Sequence, residues 1–281
     1  MSLSEQGSYQ VGQAHITLEQ ELRRLDAQVV RTWPKEAREL HWLGLQDGMS
    51  VLEVGCGPGF WTEHLEQLVP TSPIVAIDAD PGAILYASLR REWRPTTSFV
   101  TASVLDSGLP EGHFDFAVAR YVFQHLRNPN AAASEILRML RPGGKLLIID
   151  TDVDIAGLIS PALPVLEELQ PKTTEIQARH GGDRRIGRRI WRILANAGFT
   201  DLVQDAMLTS SDSHGLEPFL LQLNPDRLVP LVRQGLLSET DYVLIQQAYD
   251  RLRTADDPLV LDLVLMACGT KLNEKAPQFG R

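Results

Sequence analysis

Val51-Leu52-Glu53-Val54-Gly55-Cys56-Gly57-Pro58-Gly59 is the stretch that decides the fold. Its apolar and β-branched positions read as a buried strand, after which glycine takes every second place. Glycine supplies the backbone angles of a tight turn and removes the Cβ that would hold a ligand away from the main chain. Phe60 to Leu68 follows with helical character, so the turn aims helix-start N–H groups at whatever occupies it.

The pattern then repeats. Roughly 20 residues on, the spacing of nucleoside-binding βαβ units, Ile74-Val75-Ala76-Ile77-Asp78 reads as a second strand ending in a carboxylate. An acid there can accept from both hydroxyls of a ribose. A third strand end falls over Ser98 to Val104, a fourth strand over Phe114 to Ala119, and a fifth over Lys145 to Asp150. Leu140-Arg141-Pro142-Gly143-Gly144 reads as turn chemistry closing a helix. Strand and helix alternating through short loops specify a parallel sheet with helices on both faces, an α/β fold.

Composition narrows the function. A chain of 281 residues has room for one ample core with appendages. A formal net charge of −9 argues against a dedicated nucleic-acid binder, which needs a basic face. Two cysteines, Cys56 and Cys268, give neither zinc-cluster spacing nor a disulfide framework. Met1 to Gln10 is polar rather than an export signal, and no apolar run spans a membrane, so a cytoplasmic location without membrane contact is expected.

The E-V-G-C-G-P-G loop, the I-V-A-I-D strand end, F-D-F-A-V-A-R-Y-V-F-Q-H-L and L-R-P-G-G-K-L-L-I-I-D together resemble a class I S-adenosylmethionine-dependent methyltransferase. The R-Y-V-F-Q-H-L run and Gly182-Asp183-Arg184-Arg185-Ile186-Gly187-Arg188-Arg189 resemble a bacterial branch acting on small molecules. The loop spacing agrees. Dinucleotide dehydrogenases use G-x-G-x-x-G, whose helix-start amides meet a pyrophosphate. Here the third glycine falls one place early and Phe60 and Trp61 crowd the helix start, which a phosphate-free ligand tolerates.

The resemblance implies S-adenosyl-L-methionine as cofactor, S-adenosyl-L-homocysteine as its product, and a Rossmann-like, seven-stranded, mostly parallel sheet. Glu53 then resembles the acid that holds the methionine ammonium; a strand-end carboxylate capping the loop is the competing reading. Gly55, Gly57 and Gly59 admit the methionine and ribose portion, Asp78 holds the ribose, and Ala79 leaves space beside the adenine. Where many relatives carry an acid for the adenine amine, this chain has Ala102-Ser103-Val104, so the Ser103 hydroxyl and the Val104 N–H take those roles, with Asp106 the alternative. The backbone around Arg120 accepts from the ammonium, and Tyr121 and His125 face the sulfonium as catalytic candidates. His125 has an ordinary pKa suited to a general base, although a capping or packed ring explains it equally, and methyl transfer can proceed by positioning alone. Tyr9 resembles an aromatic that closes over the cofactor.

Organisation follows. Residues 1–48 form an N-terminal helical cap, with one helix over Glu19 to Arg31 and another around Pro34 to Leu43. Residues 49–208 form the cofactor-binding core, with helices over Pro161 to Arg179 and Ile186 to Ala197 and a sixth strand over Thr200 to Leu208. Residues 209–258 are a helical insertion between the last two strands, read either as a substrate lid or as packing or homodimer contact. Residues 259–281 supply the final strand and a tail. Arg184, Arg185, Arg188, Arg189 and Arg192 make either an anion site or a solvated face paired with acids. Asp150, Asp152 and Asp154 are thin grounds for magnesium, and no metal is expected. The acceptor is expected to be a small molecule; a protein or RNA acceptor, or a non-catalytic cofactor-binding module, are the alternatives.

Overall fold

A computed structural model of the protein describes residues 17–273. Its centre is five parallel strands: β1 (Val51–Val54), β2 (Ile74–Asp78), β3 (Thr97–Thr101), β4 (Phe114–Arg120) and β5 (Leu140–Asp150). They lie in the order β3-β2-β1-β4-β5, with Val51 level with Ile74 on one side and Phe116 on the other. Beyond β5 the sheet turns antiparallel. β8 (Leu259–Thr270) pairs with β5 along its second half and with a short β6 (Gly157–Ser160) along its first, while β7 (Thr200–Ser210) lies along its other edge. β6 makes an eighth strand, one more than the sequence pattern suggests, because Gly157-Leu158-Ile159-Ser160 is too short to stand out between loops.

Alternation along each strand divides the interior into two layers. Leu52, Val54, Leu146 and Ile148 face α4 (Pro129–Met139) and α6 (Ile190–Ala197) through Ala133, Ile136, Ile193 and Leu194. Val51, Val118, Leu147 and Ile149 face the opposite way, toward α1 (Leu18–Trp42) and α2 (Phe60–Leu68) through Leu40, Trp61 and Leu65. Burying each such side chain is worth about 1.5–3 kcal/mol, which makes these stripes the main source of stability.

α1 is one continuous helix where the sequence suggests two. Thr17 caps it by accepting from the Gln20 amide at 3.2 Å. Pro34 lies inside it, and a ring nitrogen without a hydrogen ordinarily breaks a helix there. The helix persists because buried side chains on both sides of the proline are fastened to the core: Arg31 pairs with Asp262 of β8, and Thr32 and Glu36 bind Arg120 of β4. Tertiary contacts outweigh the local preference. Likewise α4 ends at Met139, and Leu140 already pairs with Phe114 in the sheet. The Arg-Pro-Gly-Gly run is therefore a bulge inside β5 and not a helix terminator. A Cβ on Gly144 would lie 2.9 Å from the Arg141 carbonyl and 3.0 Å from that of Phe114, so the bulge needs glycine.

Between β7 and β8 stand α7 (Ser211–His214), α8 (Glu217–Leu223), α9 (Val229–Arg233) and α10 (Glu239–Arg253). α10 opens on a capping box between Ser238 and Asp241. These helices pack on α5 (Pro164–Arg179) through Leu163, Phe219, Leu220 and Leu252, and through Leu169, Leu237 and Ile245. They form an apolar cluster of their own beside the sheet.

Candidate functional site

Parallel strands release their chains at one edge of the sheet, and ligands of open α/β folds bind there. Glu53, the turn after β1, Asp78, Ser103, Val104, Arg120, Tyr121 and His125 all lie at or just past those carboxyl ends. The topology thus gathers every described residue proposed from the sequence. Tyr9 lies outside the described residues.

Gly55, Gly57 and Gly59 all have positive φ, at 71°, 53° and 76°. The amides of Gly55 and Cys56 both donate to the Ile77 carbonyl, at 2.7 and 3.0 Å, which folds the turn over the end of β2. The Gly57 amide donates to Asp78 Oδ2 and the Asp80 amide to Oδ1, each at 2.8 Å. Asp78 therefore holds both loops while each oxygen keeps a free lone pair. Burial raises its pKa above the usual carboxylate range. The glycines divide their work. A Cβ on Gly55 would strike Val122 at 2.3 Å, whereas one on Gly57 would project into open space. Gly55 serves packing, and Gly57 keeps the cleft beside Asp78 clear.

Glu53 is 4% exposed, and its Oε2 has no hydrogen-bond partner. It does not cap the turn, whose amides bond to Ile77. Burial lifts its pKa to about 8 against the pull of the Thr62 hydroxyl and, after it, of Arg120. An unbonded buried acceptor costs about 1–3 kcal/mol, so a donor is expected to meet it. A ligand ammonium suits both its position and its charge, and the residues present fit S-adenosylmethionine: Glu53 for the ammonium, Gly57 for close approach, Asp78 for the ribose. At the adenine end the Ala102 amide donates to the Asp78 carbonyl at 2.9 Å, which sets Ser103 and buried Val104 next to Asp78 and Ala79. The Ser103 hydroxyl accepts from the Leu105 amide at 3.2 Å, and Asp106 is exposed.

Past β4 the chain turns sharply. Tyr121 adopts φ 56°, a left-handed conformation costing a non-glycine residue about 1–3 kcal/mol. Its amide donates to the Ile149 carbonyl at 2.7 Å, and the Arg120 guanidinium stacks 4.7 Å from its ring centre. Burial raises the phenol pKa, so the hydroxyl stays protonated. His125 closes a short 3-10 turn, with Nδ1 3.4 Å from Gln177 Nε2 of α5. Burial, and then the charges of Arg184 and Arg24, push its pKa down to about 3, so the imidazole is neutral at physiological pH.

Several residues here escape a sequence reading. Glu36 of α1 accepts from Arg120 Nε and from Trp61 Nε1, both at 2.7 Å, pinning both walls of the cleft. Nothing local marks it, since its partners lie far along the chain. Asp150 accepts from the Gln124 amide at 3.0 Å and shapes the turn that carries His125; burial raises its pKa to about 7. A carboxylate closing an apolar strand, as at Asp78, is the signal that marks it. The arginine run resolves unevenly. Arg188 pairs with Asp152 and Asp154, Arg185 with Asp154, and Arg189 with Asp183. Arg192 is exposed. Among the described residues Arg184 forms no ion pair, and its Nε is buried without a partner. Asp152 and Asp154 are thereby committed to arginines.

Residues 52–148 match the family described as Methyltransferase domain. Over 158 residues the chain is 32% identical to an uncharacterized protein in a transposon of Streptomyces fradiae, covering 56% of this chain and 45% of that protein. It is 26% identical over 135 residues to demethylmenaquinone methyltransferase of Lactococcus lactis, covering 47% and 51% respectively. The chain thus spans about half the length of these curated relatives. In structure it resembles Haemonchus contortus phosphoethanolamine N-methyltransferase 2 bound to S-adenosylmethionine, with TM-score 0.55 and 19% identity over 86% of this chain and 53% of that one. The matched segment holds the glycine turn, Glu53 and Asp78, the residues on which the fit to the cofactor rests, and also Arg120 and His125. With its sheet order and cleft, the chain carries over residues 52–148 a methyltransferase domain of the class I, S-adenosylmethionine-dependent type.

Proposed function

We propose that the protein transfers a methyl group from S-adenosylmethionine to a small-molecule acceptor. The observation that carries this reading is the buried, unbonded Glu53 Oε2 beside a glycine turn that Asp78 ties in place. Glu53 receives the ammonium, Asp78 the ribose hydroxyls, and Ser103 with the Val104 N–H the adenine edge. When bound, the cofactor supplies a methyl group on an electron-poor sulfur, activated for in-line displacement. The protein's share is positioning and exclusion of water. Tyr121 and His125 hold neutral groups at the mouth of the cleft, where they orient the acceptor's nucleophilic atom. A small acceptor is supported by the net charge of −9 and by relatives named for quinone methylation. Helices α8 and α10 act in this reading as a lid over the acceptor.

Calorimetric titration with S-adenosylmethionine, S-adenosylhomocysteine and NAD tests the reading. The two sulfur ligands are expected to bind and NAD to fail. Asp78→Ala is expected to weaken binding by about 10–100-fold, the worth of hydrogen bonds to a charged group. Binding of NAD alone, or an unchanged affinity in Asp78→Ala, would sink it.

A further inference from the structure

Arg184 stands apart in its own run. Its neighbours Arg185, Arg188 and Arg189 are each matched to an aspartate. The Arg184 side chain is only partly exposed, and among the described residues its buried Nε has no hydrogen-bond partner and its guanidinium no ion pair. Burial lowers its pKa, with no carboxylate to offset the effect. A retained buried charge needs a partner, and none of the described residues supplies one.

Its position says where the partner sits. The Arg184 carbonyl accepts from the Val153 amide at 3.0 Å, which ties it to the loop leaving β5. The preceding Asp183 amide donates to the Gln124 carbonyl at 2.8 Å, and Gln177 reaches the same carbonyl and His125. Arg184 is near enough for its charge to act on the His125 ring. Arg24 of α1 is felt there too, but it is neutralised by a bidentate pair with Glu21 and also binds Gln222 of α8. Asp183 is matched by Arg189, and Asp150 is taken up by the amides of Gln124 and Thr151. Among the described residues, Arg184 therefore remains beside His125 as a positive charge without a paired carboxylate, between α1, α5 and the β5–α6 connection.

Resting on the methyltransferase reading, we infer that the acceptor carries an anionic group, a carboxylate or phosphate, which pairs with Arg184 while its nucleophilic atom lies toward His125. Guanidinium suits planar, bidentate recognition of such groups, and a half-enclosed site strengthens the pair.

The test titrates the chain, saturated with S-adenosylhomocysteine, with inorganic phosphate, benzoate and the neutral benzamide. Calorimetry and the imidazole signals of His125 in ¹⁵N-labelled protein are the readouts. At least one anion is expected to bind and shift the His125 signals, with benzamide failing. Arg184→Gln is expected to weaken that binding by about tenfold or more, Arg184→Lys to retain part of it, and Arg185→Gln to leave it unchanged. Equal binding of benzamide, no anion effect on His125, or undiminished anion binding by folded Arg184→Gln would overturn the proposal. The comparison of anion with benzamide needs only the unsubstituted chain, so it stands even if a variant fails to fold. Failure of the cofactor reading would show separately, as no binding of S-adenosylhomocysteine, and the anion titration is then run without it.

Discussion

At the level of single residues, Glu53 couples ligand binding to protons. Its pKa of about 8 means that it is mostly protonated at pH 7 before a ligand arrives. An ammonium placed against Oε2 favours the carboxylate, so binding of S-adenosylmethionine at pH 7 should release about one proton. Calorimetry in buffers of different ionisation heat measures this, and zero release would mean that Glu53 does not receive the ammonium. The same shift acts on stability. Below the ordinary value of 4.5, Glu53 is protonated whether the chain is folded or not. As pH rises from there to about 8 the unfolded chain ionises first, so the folded state loses stability over that window. Glu53→Gln should flatten this loss in thermal unfolding scans. His125 behaves in the opposite sense. With its pKa down to about 3 it should show imidazole signals that stay flat from pH 5 to 8, and turnover should show no step from its titration there. A signal titrating near 6.5 would restore the general-base role that its residue type suggests.

Among the elements, the turn after β1 separates folding from binding within a few residues. Gly55→Ala forces a Cβ into Val122 at a positive φ and should cost about 2–4 kcal/mol in denaturant unfolding. Gly57→Ala meets only the backbone penalty, about 1–2 kcal/mol, yet should lower cofactor affinity by roughly tenfold or more, because its Cβ enters the cleft. Similar losses in both properties for both variants would refute that division. The turn, β1 to β5 and the residues at their ends are legible in the sequence because each depends on local pattern: apolar runs, glycine spacing, an acid closing a strand. What is hidden depends on distant partners. Pro34 fails to break α1 because Arg31, Thr32 and Glu36 are held by β4 and β8. The Arg-Pro-Gly-Gly run becomes a bulge because Phe114 offers Leu140 a place in the sheet. The arginine run looks uniform in one dimension, and only the placement of Asp152, Asp154 and Asp183 leaves Arg184 the odd one.

For the molecule as a whole, α1 is fastened to the sheet by buried ion pairs. Glu36 carries one of them, with one oxygen on Arg120 and the other on Trp61, fully buried. Removing its charge strands the Arg120 guanidinium, so Glu36→Gln should cost about 3–5 kcal/mol, and cofactor affinity should fall with it because both cleft walls loosen. Urea unfolding checks the first, and a loss below about 1 kcal/mol would show that α1 is held by its apolar face instead. The pairing of β7 with β8 has a different kind of consequence. Ser210, where the helical insertion leaves the sheet, is level with Leu261, just past the place where the chain returns. In topology the insertion is therefore the loop of a single hairpin, grown until it folded on itself. The entropic penalty of such a loop rises only with the logarithm of its length. Whole helices can thus be lengthened, trimmed or exchanged at this seam without moving a strand, which makes it the natural place for one scaffold to diversify its clientele.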